Sequence, residues 1–453
     1  MKRLQLCQFN WAYDGDIYLP LSAGMLAAVV REDADLSKRY DVDLNLRFER
    51  GDPEKIAASL DADVVGFSIY VWNEQLSLAV ARELRTRRPE CLIVFGGPSV
   101  PGNPQEFLDA HSFVDVAIRG EGENVFADVL RRFDGTRTRQ ALLGEPRERD
   151  LARLPSPFLT GVFDEVLKKP YRFNGIWECA RGCPYRCTYC DWGSATGTKM
   201  ALFAEDRLRA ELAWFADKGI AHIYCADANF GILPRDMELA RDIAVQRRER
   251  GFPKSFFVNY PKNSTRKIFD LAKLLHDEGL CRGTTLSMQS YDEQTLVNVR
   301  RGNIKLDTYR ELQKLYNDAG VPVYSELILG LPGESLDSFC AGIDTAIDAG
   351  QHDRLLIYLC RVLPGTEMAE PAYRLAHGIE TVRLPIQANH GSLDVATVGP
   401  VEFEETVVAT KTMPHADWLA CQRIAWFVEV FFVLGIARLP LLWLRERGVK
   451  VTE

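Results

Sequence analysis

At 453 residues the chain is long enough for two or three domains, and 47% hydrophobic with 26% charged residues excludes a disordered or fibrous protein. A formal net charge of −8 argues against a nucleic-acid partner, because a phosphate backbone is bound by an excess of Lys and Arg. The sequence starts without a secretory apolar region, so we expect a cytoplasmic location in which the eleven cysteines are reduced. The one long apolar stretch, 424–444, is interrupted by Glu429, Arg438 and Pro440. It therefore predicts a core helix or a partner-facing helix and no membrane span.

Residues 1–135 alternate short apolar runs with helical patterns. Such alternation is typical of an α/β domain with a doubly wound parallel sheet, a Rossmann-type fold. Strands are predicted at 2–9, 41–48, 64–70, 92–95 and 114–118, with helices at 20–31, 53–60 and 74–88.

The predicted carboxyl ends of these strands carry aromatic residues, glycines and an acid. Ligands of such sheets bind at this edge, where glycine lets the backbone approach a ligand closely. Each glycine taken singly could equally form a tight turn, but their shared position at one edge favours a binding site. The candidate residues are Tyr70, Trp72, Gly96, Gly97, Gly120 and Glu121.

A second series of strands and helices follows residues 136–170, which are rich in Arg, Asp, Glu and Pro and predict a linker. Residues 171–370 contain six predicted strands, the first just before Cys179 and the others at 222–226, 255–258, 283–288, 321–329 and 355–360. Six are too few for a closed eight-stranded barrel and predict a partial (β/α)6 barrel with its site at the carboxyl ends. The pattern then loosens: 381–400 looks irregular, and 416–447 predicts helices, so we expect 371–453 to form a C-terminal helical cap.

Four of the eleven cysteines fall within residues 178–191. Cys183, Cys187 and Cys190 have the spacing C-x3-C-x2-C on a predicted loop, which suits an iron–sulfur cluster with one iron left without a protein ligand. A structural zinc site would need a fourth ligand, and no second Cys or His pair follows the loop. Cys179 is the only near candidate, and we interpret it as a small half-buried residue at a strand end.

Polar residues also gather at the predicted ends of the barrel strands. Buried carboxylates and amides are costly unless paired, so this set suggests a polar ligand. Capping of the following helices is the alternative, because Asp and Asn are good N-caps. The set comprises Asp227, Asn229, Asn259, Tyr260, Ser287, Gln289, Glu326 and Arg361.

The cysteine loop, with Tyr189 just before its last cysteine, resembles the cluster loop of radical S-adenosylmethionine (SAM) enzymes. The segments 227–231, 288–290, 329–334 and 363–367 resemble later barrel motifs of that superfamily. Residues 67–73, 96–98 and 119–123 resemble the cobalamin-binding-type domain of its largest subfamily. Together these similarities extend over roughly residues 1–370.

The resemblance implies a [4Fe-4S] cluster on Cys183, Cys187 and Cys190, whose open iron binds the amine and carboxylate of SAM. One-electron reduction then releases a 5′-deoxyadenosyl radical that abstracts a substrate hydrogen. By similarity, Tyr189 lies beside the adenine and Trp72 faces the lower side of a corrin. Asp227 and Asn229 are expected near the methionyl amine, and Ser287, Gln289 and Glu326 towards the ribose, carboxylate or substrate.

Two enzymatic hypotheses follow. The short region after the barrel resembles the radical diol-dehydratase of apramycin-type aminoglycoside biosynthesis. Our first hypothesis is therefore dehydration of a paromamine-type diol in antibiotic biosynthesis, without bound cobalamin. Glu326, Asp191 and Tyr260 are its candidate catalytic acids and bases.

The alternative is cobalamin-dependent C-methylation, and a cluster-bearing sensor protein is a third hypothesis. The enzymatic hypotheses imply a small-molecule substrate, a one-electron donor such as flavodoxin and, for dehydration, a partner reductase. No nucleic-acid or membrane partner is expected.

Overall fold

The computed structural model describes residues 1–144, 151–194, 200–352, 354–386 and 399–453. Its first part is an α/β layer built around seven parallel strands. The elements in chain order are β1 (Lys2–Asn10), β2 (Ala12–Tyr13), β3 (Asp16–Tyr18), α1 (Leu21–Glu32), α2 (Leu36–Arg39), β4 (Tyr40–Val42), β5 (Arg47–Glu49), α3 (Pro53–Ser59), β6 (Val64–Ser68), α4 (Glu74–Arg87), β7 (Leu92–Gly96), α5 (Pro104–Ala110), β8 (Val116–Arg119), α6 (Glu123–Arg132) and β9 (Gln140–Leu143).

The first sheet has the order β4-β1-β6-β7-β8-β9, and β5 also pairs with β1 farther along the same edge. One hydrophobic core lies on each face of the sheet, and β6 is buried along its whole length between them. This burial explains why 64–70 reads as an almost continuous apolar run. The single strand predicted at 41–48 is instead two, because Asp43 forms a turn in which its side chain accepts a hydrogen bond from the Asn45 amide.

The second part is a partial barrel. Its elements are β10 (Arg172–Trp177), β11 (Ala180–Arg181), α7 (Asp191–Ser194), β12 (Ala201–Leu202), α8 (Glu205–Asp217), β13 (His222–Cys225), α9 (Asp236–Arg250), β14 (Ser255–Phe257), α10 (Arg266–Asp277), β15 (Thr284–Thr285), α11 (Glu293–Asn298), α12 (Leu306–Asp318), β16 (Val323–Leu329), α13 (Leu336–Asp348) and β17 (Leu355–Leu359).

The six barrel strands are present as predicted, in two parallel groups, β10-β13-β14 and β15-β16-β17. The hairpin β2–β3 belongs to the first group, since β3 pairs with β10 through Asp16–Arg172 and Tyr18–Asn174. The sequence between the first predicted strand and the first predicted helix, which is rich in aromatic residues, predicts a loop, and this prediction is wrong. These residues form an additional edge of the barrel sheet, a pairing across more than 150 residues that local sequence patterns cannot reveal.

Two further segments differ from the prediction. The segment 136–170, predicted as a linker, contributes β9 to the first sheet and also contains 3-10 turns at Leu151–Arg153 and Val166–Lys168. The cap contains an antiparallel hairpin besides its helices, and part of this hairpin falls in the stretch predicted to be irregular. Residues 387–398 of that stretch lie outside the described residues. The final elements are α14 (Pro371–His377), β18 (Glu380–Pro385), β19 (Phe403–Ala409), α15 (His415–Phe427), a π-helix (Val428–Val433) and α16 (Arg438–Arg445).

A buried ion pair docks this hairpin onto the first sheet. The Arg50 guanidinium lies 3.0 Å from the Glu402 carboxylate, and both side chains are almost fully buried. The Glu402 carboxylate also accepts hydrogen bonds from the Gln75 and Leu76 amides at the start of α4. The C-terminal region is thereby attached to the N-terminal sheet as well as to the barrel.

Within the described residues, no single helix is long and apolar enough to cross a membrane. The helices His415–Val433 and Arg438–Arg445 meet the length and hydropathy requirements only as a pair, and they are bent by 105° relative to each other.

Candidate active site

A cavity of about 770 Å³ lies between the first sheet and the barrel. Its walls come from the carboxyl ends of the first sheet, from the cysteine loop and from strands β10 and β13. The volume lies in the range that holds a small-molecule ligand. Nine of the residues singled out from the sequence line it: Tyr70, Trp72, Gly96, Gly97, Gly120, Glu121, Tyr189, Cys190 and Asp191.

The wall formed by the first sheet contains a flat aromatic surface. The rings of Tyr70 and Trp72 stack with their centroids 4.3 Å apart and their planes 12° from parallel. The Trp72 carbonyl accepts hydrogen bonds from Trp11 Nε1 and from Arg50, the same arginine that pairs with Glu402. The C-terminal hairpin therefore helps to hold Trp72, a role that no local motif indicated.

Glycine is required at one point of this wall. Gly97 has φ +114°, and a Cβ atom there would lie 2.4 Å from the Ile69 carbonyl oxygen. The turn after β7 can therefore pack against the backbone after β6 only because residue 97 has no side chain. Among the described residues that line the cavity there is no histidine. This wall therefore fits a flat ligand that needs no histidine from the protein, such as a corrin without a histidine ligand.

The cysteine loop forms the opposite wall, and hydrogen-bond donors point at its sulfur atoms. Asn229 Nδ2 donates to Cys183 Sγ at 3.2 Å, and Lys262 Nζ lies 3.7 Å from Cys187 Sγ. Cys183 and Cys187 are buried, whereas Cys190 is half-buried beside Tyr189. Three cysteines on one loop, with donors directed at two of the sulfurs, fit the thiolate ligands of an iron–sulfur cluster.

A second set of cysteines lies deeper. The ligand atoms of Cys179, Cys225 and Asp227 lie within 4.8 Å of one another. Burial raises the pKa of the Cys179 thiol well above its usual value and that of Cys225 to about 11, so both thiols stay protonated at neutral pH. Asp227 Oδ1 is already occupied by the amides of Cys179 and Ala180. Hydrogen bonding accounts for this set, and Cys179 is fully buried rather than half-buried.

Asp227 also has a structural contact that the sequence did not indicate. Its carboxylate holds the start of the cysteine loop through two backbone amides, at 2.7 and 2.9 Å. Burial raises its pKa to about 7, against the opposing effect of these amides. Asn229 lies at the other side of the same turn, where its side chain donates to Cys183 Sγ.

We expect Asp227→Ala to destabilise the protein by about 1–3 kcal/mol for each of the two buried amides that it leaves without an acceptor. Asp227→Asn is the matched control, because its side-chain oxygen can still accept both bonds. Denaturant unfolding of the cluster-free protein at pH 8 measures the difference. Equal stability of the two variants would contradict this account.

The predicted polar residues that follow β15 come together with Glu326 on β16. Glu326 Oε2 accepts a hydrogen bond from Ser287 Oγ at 2.5 Å and one from Gln289 Nε2 at 3.3 Å. Gln289 has φ +64°, an uncommon conformation for a residue with a side chain, and its buried Oε1 has no hydrogen-bond partner among the residues that the structure describes. An unsatisfied acceptor next to a carboxylate suits a ligand with hydroxyl or amine donors, such as the ribose or methionyl groups of SAM.

The prediction that Tyr260 is a catalytic residue is wrong. Its side chain packs into the cores on the outer side of the barrel, and its hydroxyl lies beside Cys281 and Tyr316. Burial raises its pKa well above the usual value, so the phenol stays protonated. The residue follows a strand end, but its side chain points away from the site.

Charged residues that the sequence analysis missed connect the two walls. The Arg181 guanidinium contacts the carboxylates of Glu178 and Glu123 at 2.9 and 2.6 Å, and Glu121 at 3.8 Å. Burial would raise the pKa of Glu123, but Arg181 overcomes this effect and lowers it. Arg181 therefore joins the cysteine loop to the start of α6 in the first domain.

Two further arginines position residues that the sequence did identify. Arg119 lies 3.7 Å from Asp191 and donates to the Pro98 and Val100 carbonyls. Burial raises the pKa of Asp191 despite this neighbour. Arg301 donates to the Tyr189 hydroxyl at 3.3 Å and to the Ser287 carbonyl at 2.5 Å. Arg119 lies in the motif 119–123, whereas Arg301 is identified only by its contacts with distant segments.

The cavity, its cysteine loop and its aromatic wall define a class of protein with a corrin-type domain facing a radical SAM barrel. Comparisons with known families agree: residues 12–130 match the B12 binding domain, and residues 177–346 match the radical SAM superfamily. The chain therefore belongs to the radical SAM superfamily, in the subfamily that carries a cobalamin-binding domain.

Two curated relatives are each 38% identical to this chain. One is a 2-(S-pantetheinyl)-carbapenam-3-carboxylate methyltransferase of Streptantibioticus cattleyicolor, aligned over 95% of this chain and 66% of its own length. The other is the cobalamin-dependent radical SAM methyltransferase TokK of Streptomyces tokunonensis, aligned over 89% of this chain and 61% of its own length. The chain thus spans somewhat less than two thirds of these relatives.

Solved structures share the fold at low sequence identity. OxsB, a cobalamin-dependent SAM radical enzyme with aqua-cobalamin and SAM bound, matches with a TM-score of 0.65 at 15% identity, over 95% of this chain and 67% of its own. TsrM of Kitasatospora setae, a radical SAM methyltransferase, matches with a TM-score of 0.63 at 16% identity, over 94% of this chain and 89% of its own.

Proposed function

We propose that this protein is a cobalamin-dependent radical SAM methyltransferase that methylates a carbon atom of a small natural product. The observation that carries the proposal is the cavity shared by the aromatic wall of the first sheet and the cysteine loop of the barrel. The 38% identity to two methyltransferases favours methylation over the aminoglycoside dehydration suggested by the sequence. It also favours bound cobalamin, contrary to our first hypothesis.

Cys183, Cys187 and Cys190 would hold the cluster, and the wall formed by Trp72, Gly96 and Gly97 would hold the corrin. When bound, the cluster supplies the electron that cleaves SAM, and the corrin supplies the methyl group.

The chain's own residues prepare the site for this chemistry. Asn229 donates to the Cys183 sulfur, and Asp227 fixes the turn from which the loop starts. Leu21, Met25 and Phe126 line the cavity and help to exclude water, which protects reactive species from side reactions. Ser287, Gln289 and Glu326 offer one donor- and acceptor-rich cluster to the polar part of SAM or of the substrate.

An exposed aromatic face on the inner side of the barrel supports a small organic substrate. Tyr224 and Phe257 are neighbours across β13 and β14 and therefore point to the same side, and Tyr224 lines the cavity. Phe257 is 64% exposed. Large apolar side chains left open beside a cavity are typical of a ligand-binding surface.

The experiment uses anaerobically reconstituted protein loaded with cobalamin, with SAM labelled in its methyl group. The substrate probe is 2-(S-pantetheinyl)-carbapenam-3-carboxylate, the compound named for the 38% identical relative. We expect corrin bands in the spectrum and S-adenosylhomocysteine, and label in the product if this probe fits. Formation of 5′-deoxyadenosine alone, by protein that takes up no corrin, would contradict the methylation proposal. It would favour the dehydration hypothesis instead.

A further inference from the structure

Lys262 occupies an unusual position beside the cysteine loop. It follows β14 at the carboxyl end of the barrel, and its ammonium lies 3.7 Å from Cys187 Sγ. The same ammonium lies 4.1 Å from the centroid of the Tyr185 ring. A half-buried lysine is thus held between an aromatic ring and a cluster ligand.

The charge of Lys262 has no carboxylate to balance it. In the part of the chain that the structure describes, no Asp or Glu oxygen lies within 4.0 Å of its ammonium. Its electrostatic neighbours are the thiols of Cys183 and Cys187, which attract it, and the Arg301 guanidinium, which repels it. A partly desolvated cation without a counterion is costly, so the negative charge that compensates it must come from the ligands of the loop.

We propose that Lys262 is a positioning residue that sets the reduction potential of the cluster held by Cys183, Cys187 and Cys190. The reduced cluster carries one more negative charge than the oxidised cluster. A cation at hydrogen-bond range of a ligand sulfur stabilises the reduced state more, because charges interact strongly in a poorly solvated site. This inference rests on the proposed cluster.

The test is a redox titration of the reconstituted cluster, followed by electron paramagnetic resonance. Lys262→Met keeps the length of the side chain and removes its charge, so the ratio of reduced to oxidised cluster at a fixed potential should fall at least about tenfold. A tenfold change corresponds to about 59 mV for a one-electron couple. Lys262→Arg should stay near the wild-type value. Lys254→Met is the matched control. Lys254 lies over the Phe252 ring, and among the described residues it makes no contact with the cysteine loop.

An unchanged midpoint in Lys262→Met with full iron content would overturn the proposal, even if SAM binding were weakened. Should Lys262→Met take up little iron, rescue of iron uptake by Lys262→Arg supports the role of the charge, and equal loss in both variants overturns it. Failure of the cluster itself is recognised separately, because the wild-type protein and Lys254→Met would then also lack the signal.

Discussion

Replacing Cys187 with alanine is expected to abolish formation of 5′-deoxyadenosine. The remaining Cys183 and Cys190 cannot hold a cluster that needs three protein thiolates, so the variant should take up little iron and leave SAM uncleaved. The measurement is mass spectrometry of the nucleoside products after anaerobic reconstitution and reduction, together with iron and sulfide analysis.

The matched control is Cys340→Ala, which changes a half-buried free cysteine on α13, outside the cysteine loop. It should retain wild-type iron and deoxyadenosine formation. Because Cys187 is buried, the substitution can also destabilise the fold. The unfolding midpoint of Cys187→Ala should therefore be compared with that of the wild-type protein. Retention of full cluster and activity by Cys187→Ala would remove the cluster assignment.

Gly97→Ala should have the second largest effect, on corrin binding. The new Cβ would meet the Ile69 carbonyl oxygen at 2.4 Å, and a φ of +114° is strained for any residue with a side chain. Such strain costs about 1–3 kcal/mol before the steric clash is included. The turn after β7 must shift, and it forms part of the aromatic and glycine wall of the cavity.

We therefore expect Gly97→Ala to bind cobalamin at least tenfold more weakly and to unfold at lower denaturant concentration. Absorbance titration with cobalamin and urea unfolding check the two effects. Gly122→Ala is the control: Gly122 also lines the cavity, but a Cβ there would meet nothing within 4 Å. Equal corrin affinity of the two variants would contradict the assignment of this wall.

Much of the fold follows from local patterns. The strand predicted at 64–70 is β6 (Val64–Ser68), and the six predicted barrel strands all occur, because buried parallel strands give continuous apolar runs. The three candidate cluster cysteines lie together on one loop, and Tyr189 and Cys190 line the cavity. The spacing of cysteines within a short segment can predict a cluster-binding loop, because all of the candidate thiol ligands lie in that segment.

Other parts could not be predicted in this way. Tyr260 follows a strand end as Asn259 does, yet its ring packs outwards into the core, because neighbouring residues of an extended chain point to opposite sides. Asp227 was recognised as polar and functional, but the contact of its carboxylate with two backbone amides at the start of the cysteine loop had no local signature. In both cases the side-chain direction decided the contacts.

The sequence by itself determined the class of both domains and predicted three candidate thiol ligands and a glycine-rich edge, because each depends on residues close together in the chain. Only the tertiary structure decided how the two domains meet. Arg181 with Glu123, and Arg50 with Glu402, are contacts across 58 and 352 residues, and neither has a local signature. The Arg181–Glu123 pair joins the cysteine loop to the first domain, and the Arg50–Glu402 pair joins the C-terminal hairpin to the first sheet beside Trp72. Neither pair could be read from the sequence, because buried charges find partners wherever the folded chain provides them.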